Sequence, residues 1–124
     1  MLFRSWFGAG AASMLVLVVL VAESQSQPRP LARAAKACSV PAYPGDGYFT
    51  SLRVRKVSCR TGRKLAVAYY HCRTKNGPAG KCRRARVMRY RCHEVRQRIP
   101  TELDGRVTCK RGARRVVHTY QQNL

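Results

Sequence analysis

The sequence predicts a small α+β domain in which one helix packs on an antiparallel sheet, in chain order β-α-β-β-β, stapled by disulfides. Three observations predict it. Ser58 to Cys72 carries its apolar residues at helical spacing. Four other stretches, 48–57, 87–96, 106–110 and 114–121, read as strands, the first two by clear two-residue alternation. All six cysteines, at 38, 59, 72, 82, 92 and 109, fall in the C-terminal part of the chain. One helix laid on an antiparallel sheet is the simplest way to bury the apolar faces of such elements.

The chain opens on a stretch read as a secretory signal over residues 1–24. Arg4 supplies the positive end, and the run from Gly8 to Ala22 is uncharged and mostly apolar. Ala22-Glu23-Ser24 then offers small residues at the positions a signal peptidase inspects, with cleavage expected after Ser24. The apolar run falls short of the roughly 20 residues a membrane-spanning helix needs, so no integral span is expected after cleavage. Residues 25–37 are polar and small, with Pro28, Pro30, Arg29, Arg33 and Lys36, and read as a flexible basic arm. Residues 38–124 are read as a single domain, too small for a generous hydrophobic core.

Tyr43-Pro44-Gly45-Asp46-Gly47 is a turn cluster. The strand from Tyr48 to Val57 follows, with Leu52 and Val54 on one face and Arg53 and Arg55 on the other. Ser58 is a good helix N-cap, its hydroxyl free to accept from a first-turn amide. Gly62, Leu65, Ala66, Tyr69 and Cys72 form one stripe, while Arg60, Arg63, Lys64 and Arg73 fall mostly off it, as solvent-facing charges should. Gly62 costs about 1 kcal/mol relative to alanine in a helix; a close approach of another backbone would explain it. A helix this short is marginal alone in water and needs the sheet to lie on.

Thr74 to Gly80 reads as a loop. In the strand that follows, Met88, Tyr90 and Cys92 point one way and Arg89, Arg91 and His93 the other. Ile99 to Gly105 reads as a connection. Val107 and Cys109 point inward from the next strand, Arg111-Gly112 marks a hairpin turn, and Arg114 to Gln121 returns.

An even cysteine count in a short exported chain points to disulfides. The fifteen possible pairings are not resolved by sequence. Cys59 and Cys72 cannot pair with each other, since a helix holds them roughly 20 Å apart and a disulfide needs about 7 Å or less between Cα atoms. One arrangement closes the loop with Cys72–Cys82, links neighbouring strands with Cys92–Cys109, and leaves Cys38–Cys59. Zinc is disfavoured: no Cys-x-x-Cys pair exists and His71, His93 and His118 are scattered. No metal and no cofactor are expected.

Several segments resemble a group of small exported cysteine-containing proteins of actinobacteria. They are Gly47 to Val54, Val57-Ser58-Cys59, Leu65 to Tyr70, Tyr90-Arg91-Cys92 and Arg106 to Gly112. The resemblance covers about residues 45–121. It implies an extracellular disulfide-bonded domain, and it carries over neither an activity nor a catalytic residue.

Charge is the feature that bears on partners. The chain holds 25 Lys and Arg against 5 Asp and Glu, a formal net charge of +20. Removing residues 1–24 takes away one cation, Arg4, and one anion, Glu23, so the excess is unchanged. Self-repulsion at this level opposes compaction, and the excess argues for association with anions. Arg83, Arg84, Arg86, Arg89 and Arg91 lie before or in one strand, Arg53, Arg55 and Lys56 in or beside another, and Lys110, Arg111, Arg114 and Arg115 around the hairpin turn. The candidate polyanion-binding set is Arg53, Arg55, Arg89, Arg91, Lys110, Arg111, Arg114 and Arg115, expected to form a continuous basic face able to grip phosphates, sulfates or carboxylates. The interleaved tyrosines are expected mostly in the core.

No phosphate-binding glycine loop, nucleophile elbow or nucleic-acid signature is present. A small basic ribonuclease would need two histidines brought together beside a cation, and nothing in the sequence does that: His71 falls at the helix end, and His93 and His118 fall on strand faces that also carry arginines. Asp46, Glu94, Glu102 and Asp104 form no recognisable carboxyl pair. A secreted inhibitor presenting the 74–80 loop, or an envelope structural protein, is the alternative to the main expectation: a secreted or wall-associated domain whose partner is an anionic polymer or anionic cell surface.

Overall fold

The computed structural model describes residues 35–124, together with Gly10. The secretory signal expected at 1–24 lies outside the described residues, as does nearly all of the arm. Six elements follow: β1 (Lys36–Ala37), β2 (Gly47–Arg55), α1 (Cys59–Arg73), β3 (Arg91–Ile99), β4 (Glu102–Arg111) and β5 (Arg114–Asn123). The five strands make one antiparallel sheet in the order β1-β2-β5-β4-β3, and α1 lies on one face of it against β2 and β5. The expected α+β class holds. Lys36 and Ala37, read from sequence as the end of the arm, add a short first strand by pairing with Val54 and Arg53 of β2.

The helix is built as its sequence dictates. Ser58 is extended (φ −73°, ψ 153°), and its Oγ accepts from the Thr61 amide at 3.1 Å. Gly62, Leu65, Ala66, Tyr69 and Cys72 are buried. A Cβ at Gly62 would stand 2.5 Å from Val54 Cγ1, so this glycine admits a β2 side chain rather than another backbone. Arg73 overturns its expected exposure: at 1% exposed it is the bulkiest fully buried side chain. Its position at the helix end turns it under the following loop. Its guanidinium donates to Pro78 O at 2.7 Å, Tyr43 Oη at 2.6 Å and Gln122 Oε1 at 3.3 Å, and lies 4.1 Å from the Tyr120 ring centre. Its two terminal nitrogens are thus partnered, while Nε is buried with no partner among the described residues; stacking on aromatic faces helps a buried guanidinium be tolerated.

The strand after the loop also differs from expectation. Val87 to Tyr90 is a tight turn and not strand: Val87 N–H donates to Tyr90 O at 2.9 Å, and Tyr90 N–H donates to Val87 O at 2.8 Å. Met88 (φ 48°) and Arg89 (φ 68°) both adopt the left-handed region, as the central pair of a type I′ turn must. Reversal of the chain there, ahead of β3, leaves Met88 exposed while Tyr90 is buried, where alternation placed the two on one face. The connection expected at 99–105 shrinks to Pro100-Thr101, with Ile99 and Glu102 already paired. The second hairpin turns at Gly112-Ala113, one residue later than expected, with Gly112 at φ 56°.

Disulfides join Cys38 to Cys59, Cys72 to Cys82 and Cys92 to Cys109. The first fixes the entering chain to the helix start, and the second fixes the helix end to the loop. The third joins directly opposed residues of β3 and β4. Each contributes about 2–4 kcal/mol. Three bridges suit an oxidising compartment. Among the described residues no helix is long and apolar enough to cross a membrane.

The sheet has two unlike faces. Phe49, Leu52, Val54, Leu103, Val107, Cys109, Val116 and Tyr120 point toward the helix and form the core with Leu65, Ala66 and Tyr69. The loop after α1 lies along the β3 side of the same face, where the Arg96 guanidinium donates to Ala79 O at 3.0 Å and Gly80 O at 2.8 Å. The opposite face carries no second layer among the described residues, and the candidate site is there.

Candidate anion-binding face

Alternation sends the partners of the core residues outward, and the ladder register decides which of them become neighbours. Arg55 pairs with Arg115, Arg115 with Lys110, and Lys110 with Arg91. Four cations therefore stand side by side across β2, β5, β4 and β3. Directly opposed residues have Cβ atoms about 4.5–5.5 Å apart, and like charges so placed repel. The next row is Arg53, Val117, Thr108 and His93, and the one beyond holds Ser51, Thr119, Arg106 and Val95. Asp104, facing Gln121 and Gln97 in the row after that, is the nearest carboxylate in this pattern. Among the described residues the one ion pair, Arg96 with Glu94 at 2.5 Å, lies on the inner face. Arg55 Nε is buried with no hydrogen-bond partner among the described residues.

At the β3–β4 end the row opens into a groove of about 480 Å³ lined by Arg86, Arg89, Arg91, Lys110, Arg111 and Gly112. Five of the six are cations, contributed by the segment ahead of the 87–90 turn, the turn itself, β3, β4 and the hairpin tip. Non-glycine residues in the left-handed region cost roughly 1 kcal/mol each, so the turn that places Arg89 here is held against a backbone penalty.

Of the expected set, Arg53, Arg55, Arg91, Lys110 and Arg115 share the outer face. Arg89 is not on a strand at all. Arg111 and Arg114 pair with each other across the hairpin end, at positions whose alternation turns them to the helix side. There they line a second groove of about 410 Å³ with Lys56, Ser58 and Thr61, and Arg111, at the strand end, borders both grooves. The continuous face is thus smaller than expected, because an antiparallel strand divides its cations between two sides. Two cations were left out of the expected set. Arg106, outward on β4, was legible from its alternation with Val107. Arg86 enters only because the turn folds its segment back.

The histidines do not meet. His93 is exposed on the outer face of β3, and His71 is exposed on the helix. His118, expected on an arginine-bearing strand face, is instead 1% exposed in the core, edge-on to Phe49 and Tyr69. Burial, reinforced by the Arg73 charge, pushes its pKa down to about 3. Behind the helix end, Tyr43 donates to Gln122 Oε1 at 2.8 Å, and Tyr120 donates to Glu94. Burial raises Tyr43 and Tyr69 to about 12. It raises Tyr120 further, with the Glu94 hydrogen bond as the next cause. Glu94 sits between Arg96 and Tyr120 as the anion of this inner network. These groups are committed to structure. The 74–80 loop turns the carbonyls of Pro78, Ala79 and Gly80 onto Arg73 and Arg96, so that backbone is held from within.

Comparisons with protein-family models, with curated proteins and with solved structures return no match to this chain.

Proposed function

We propose that this chain is an exported domain that binds anionic polymers through the outer face of its sheet. The observation that carries the reading is the uninterrupted cation row Arg55–Arg115–Lys110–Arg91. Cross-strand neighbours of like charge weaken a sheet, and a polyanion laid across them removes the repulsion. Arginine supplies paired donors to each phosphate, sulfate or carboxylate. The leader pattern and the three disulfides support a location outside the cytoplasm, at the cell surface or wall, where such polymers occur. The inner position of His118 and the inward-held 74–80 loop favour this reading over the ribonuclease and the loop-presenting inhibitor.

The test is retention of the oxidised protein on wall polymer, heparin-like polysaccharide and RNA as salt is raised. Four neutralised charges on a single-stranded polymer give a log–log salt slope of roughly −3. Replacing Arg91, Lys110 and Arg115 with Gln should flatten that slope. Replacing Arg60, Arg63 and Lys64 on the helix with Gln removes the same charge from the other layer and should change it little. Equal flattening in both triple variants assigns the binding to net charge alone and removes the face from the proposal. Cleavage of the RNA would replace binding by catalysis.

A further inference from the structure

The row does not simply stop at β3. It runs into the groove of Arg86, Arg89, Arg91, Lys110, Arg111 and Gly112, and this groove differs from the open face in kind. The face presents cations at ladder spacing, one per strand, which suits charges strung along a polymer. The groove brings five cations around one volume of about 480 Å³, from separate pieces of chain that converge on it.

Two independent features gather those cations. The β3–β4 register sets Arg91 opposite Lys110, and the Gly112-Ala113 turn carries Arg111 to the strand end. The Val87–Tyr90 turn, closed by its two backbone hydrogen bonds, then folds Arg86 and Arg89 back toward the same place. Glycine or asparagine would make that turn without strain, yet the chain uses Met88 and Arg89 there. Among the described residues no carboxylate lines the groove, so their side chains leave the convergence of charge uncompensated. A single carboxylate or sulfate ester offers one negative charge to such a volume. A phosphomonoester offers about two, with three acceptor oxygens, and a pyrophosphate offers more within the same reach. Arginine forks match those oxygens in pairs.

Resting on the polymer reading above, we propose that this groove is a discrete site for a clustered phosphate group, a phosphomonoester or pyrophosphate, which the turn-borne Arg86 and Arg89 close against Arg91, Lys110 and Arg111. The outer row then tracks the body of an anionic polymer, and the groove takes a phosphorylated end or branch.

The experiment is titration of the oxidised protein with pyrophosphate, phenyl phosphate and phenyl sulfate, followed by amide chemical shifts and calorimetry at fixed ionic strength. One pyrophosphate should bind per chain, with the largest shifts at 86–91 and 110–112. Phenyl phosphate should bind at least about 10-fold tighter than phenyl sulfate, reflecting the extra charge. Arg86→Gln with Arg89→Gln should weaken pyrophosphate at least about 10-fold. Arg60→Gln with Lys64→Gln, an equal loss of charge on the helix, should weaken it less than about 3-fold. Equal weakening in the two double variants, or indifference between the phosphate and sulfate esters, overturns the site. The amide spectra of both variants verify that the fold is intact. Salt-dependent polymer retention is measured on the same samples. Retention without selective pyrophosphate binding removes the groove and leaves the polymer reading standing. Pyrophosphate binding without retention does the reverse.

Discussion

Lys110→Glu isolates the electrostatic cost of the outer row. Lys110 stands in register with Arg115 on one side and Arg91 on the other, all three exposed. The substitution turns two repulsive cross-strand pairs into two attractive ones. A directly opposed charge pair is worth roughly 0.2–1 kcal/mol, with like pairs unfavourable, and solvent screens exposed pairs toward the lower end. Taking about 0.5 kcal/mol for each repulsion removed and each attraction gained, the variant should be about 1–2 kcal/mol more stable at low salt. With a urea m-value of roughly 1–2 kcal/mol/M, the midpoint should rise by about 1 M. The assay is urea unfolding of the oxidised protein at 10 mM and 500 mM salt, where the Debye length is about 30 Å and under about 5 Å respectively. Most of the gain should vanish at high salt. Polymer retention should fall in the same variant. A stability unchanged or lowered at low salt, or a gain insensitive to salt, would refute the argument that the row is strained by its own charge.

Other consequences concern the inner network. Arg73→Met should destabilise by about 2–4 kcal/mol in thermal unfolding, since it leaves the acceptors on Pro78, Tyr43 and Gln122 short of donors in a buried site. Arg73→Lys should not restore it, because an ammonium lacks the planar fork and the stacking on Tyr120. His118 binds fewer protons folded than unfolded, its pKa being about 3 in the fold against about 6.5 in the unfolded chain. Its contribution is therefore complete above about pH 6.5 and is lost as pH falls toward 3, at up to about 1.4 kcal/mol per pH unit. In His118→Gln the pH dependence of the unfolding midpoint between pH 6 and 4 should flatten. Gly105→Ala should cost about 1–3 kcal/mol by urea unfolding, because its Cβ would sit 2.3 Å from Tyr120 Cε1 on a ring anchored by Glu94.

The residues differ in how much they disclosed in advance. The helix stripe from Gly62 to Cys72 and the inward Leu52, Val54, Val107 and Cys109 were legible because amphipathic period is local: each residue's face follows from its neighbours along the chain. The disulfide pairing also came out in the one arrangement that loop closure and strand adjacency favour. The failures share a cause. Arg73 and His118 are a cation and a titratable ring that sequence places on solvent, and both are core residues. Their burial depends on the stacking of Tyr120, the carbonyl of Pro78 and the packing of Phe49 and Tyr69, which come from distant segments. The left-handed Met88-Arg89 turn has no glycine or asparagine to announce it.

The sequence by itself determined an α+β domain, a helix from Ser58, an even set of cysteines and a large positive excess. It also determined that Arg53 and Arg55 alternate with the core residues Leu52 and Val54. Only the tertiary structure decided that Arg55, Arg115, Lys110 and Arg91 form one row, because β5 inserts between β2 and β4 and the core packing locks the register. Alternation assigns a residue to a face, but its neighbours on that face are set by backbone pairing between strands remote in sequence.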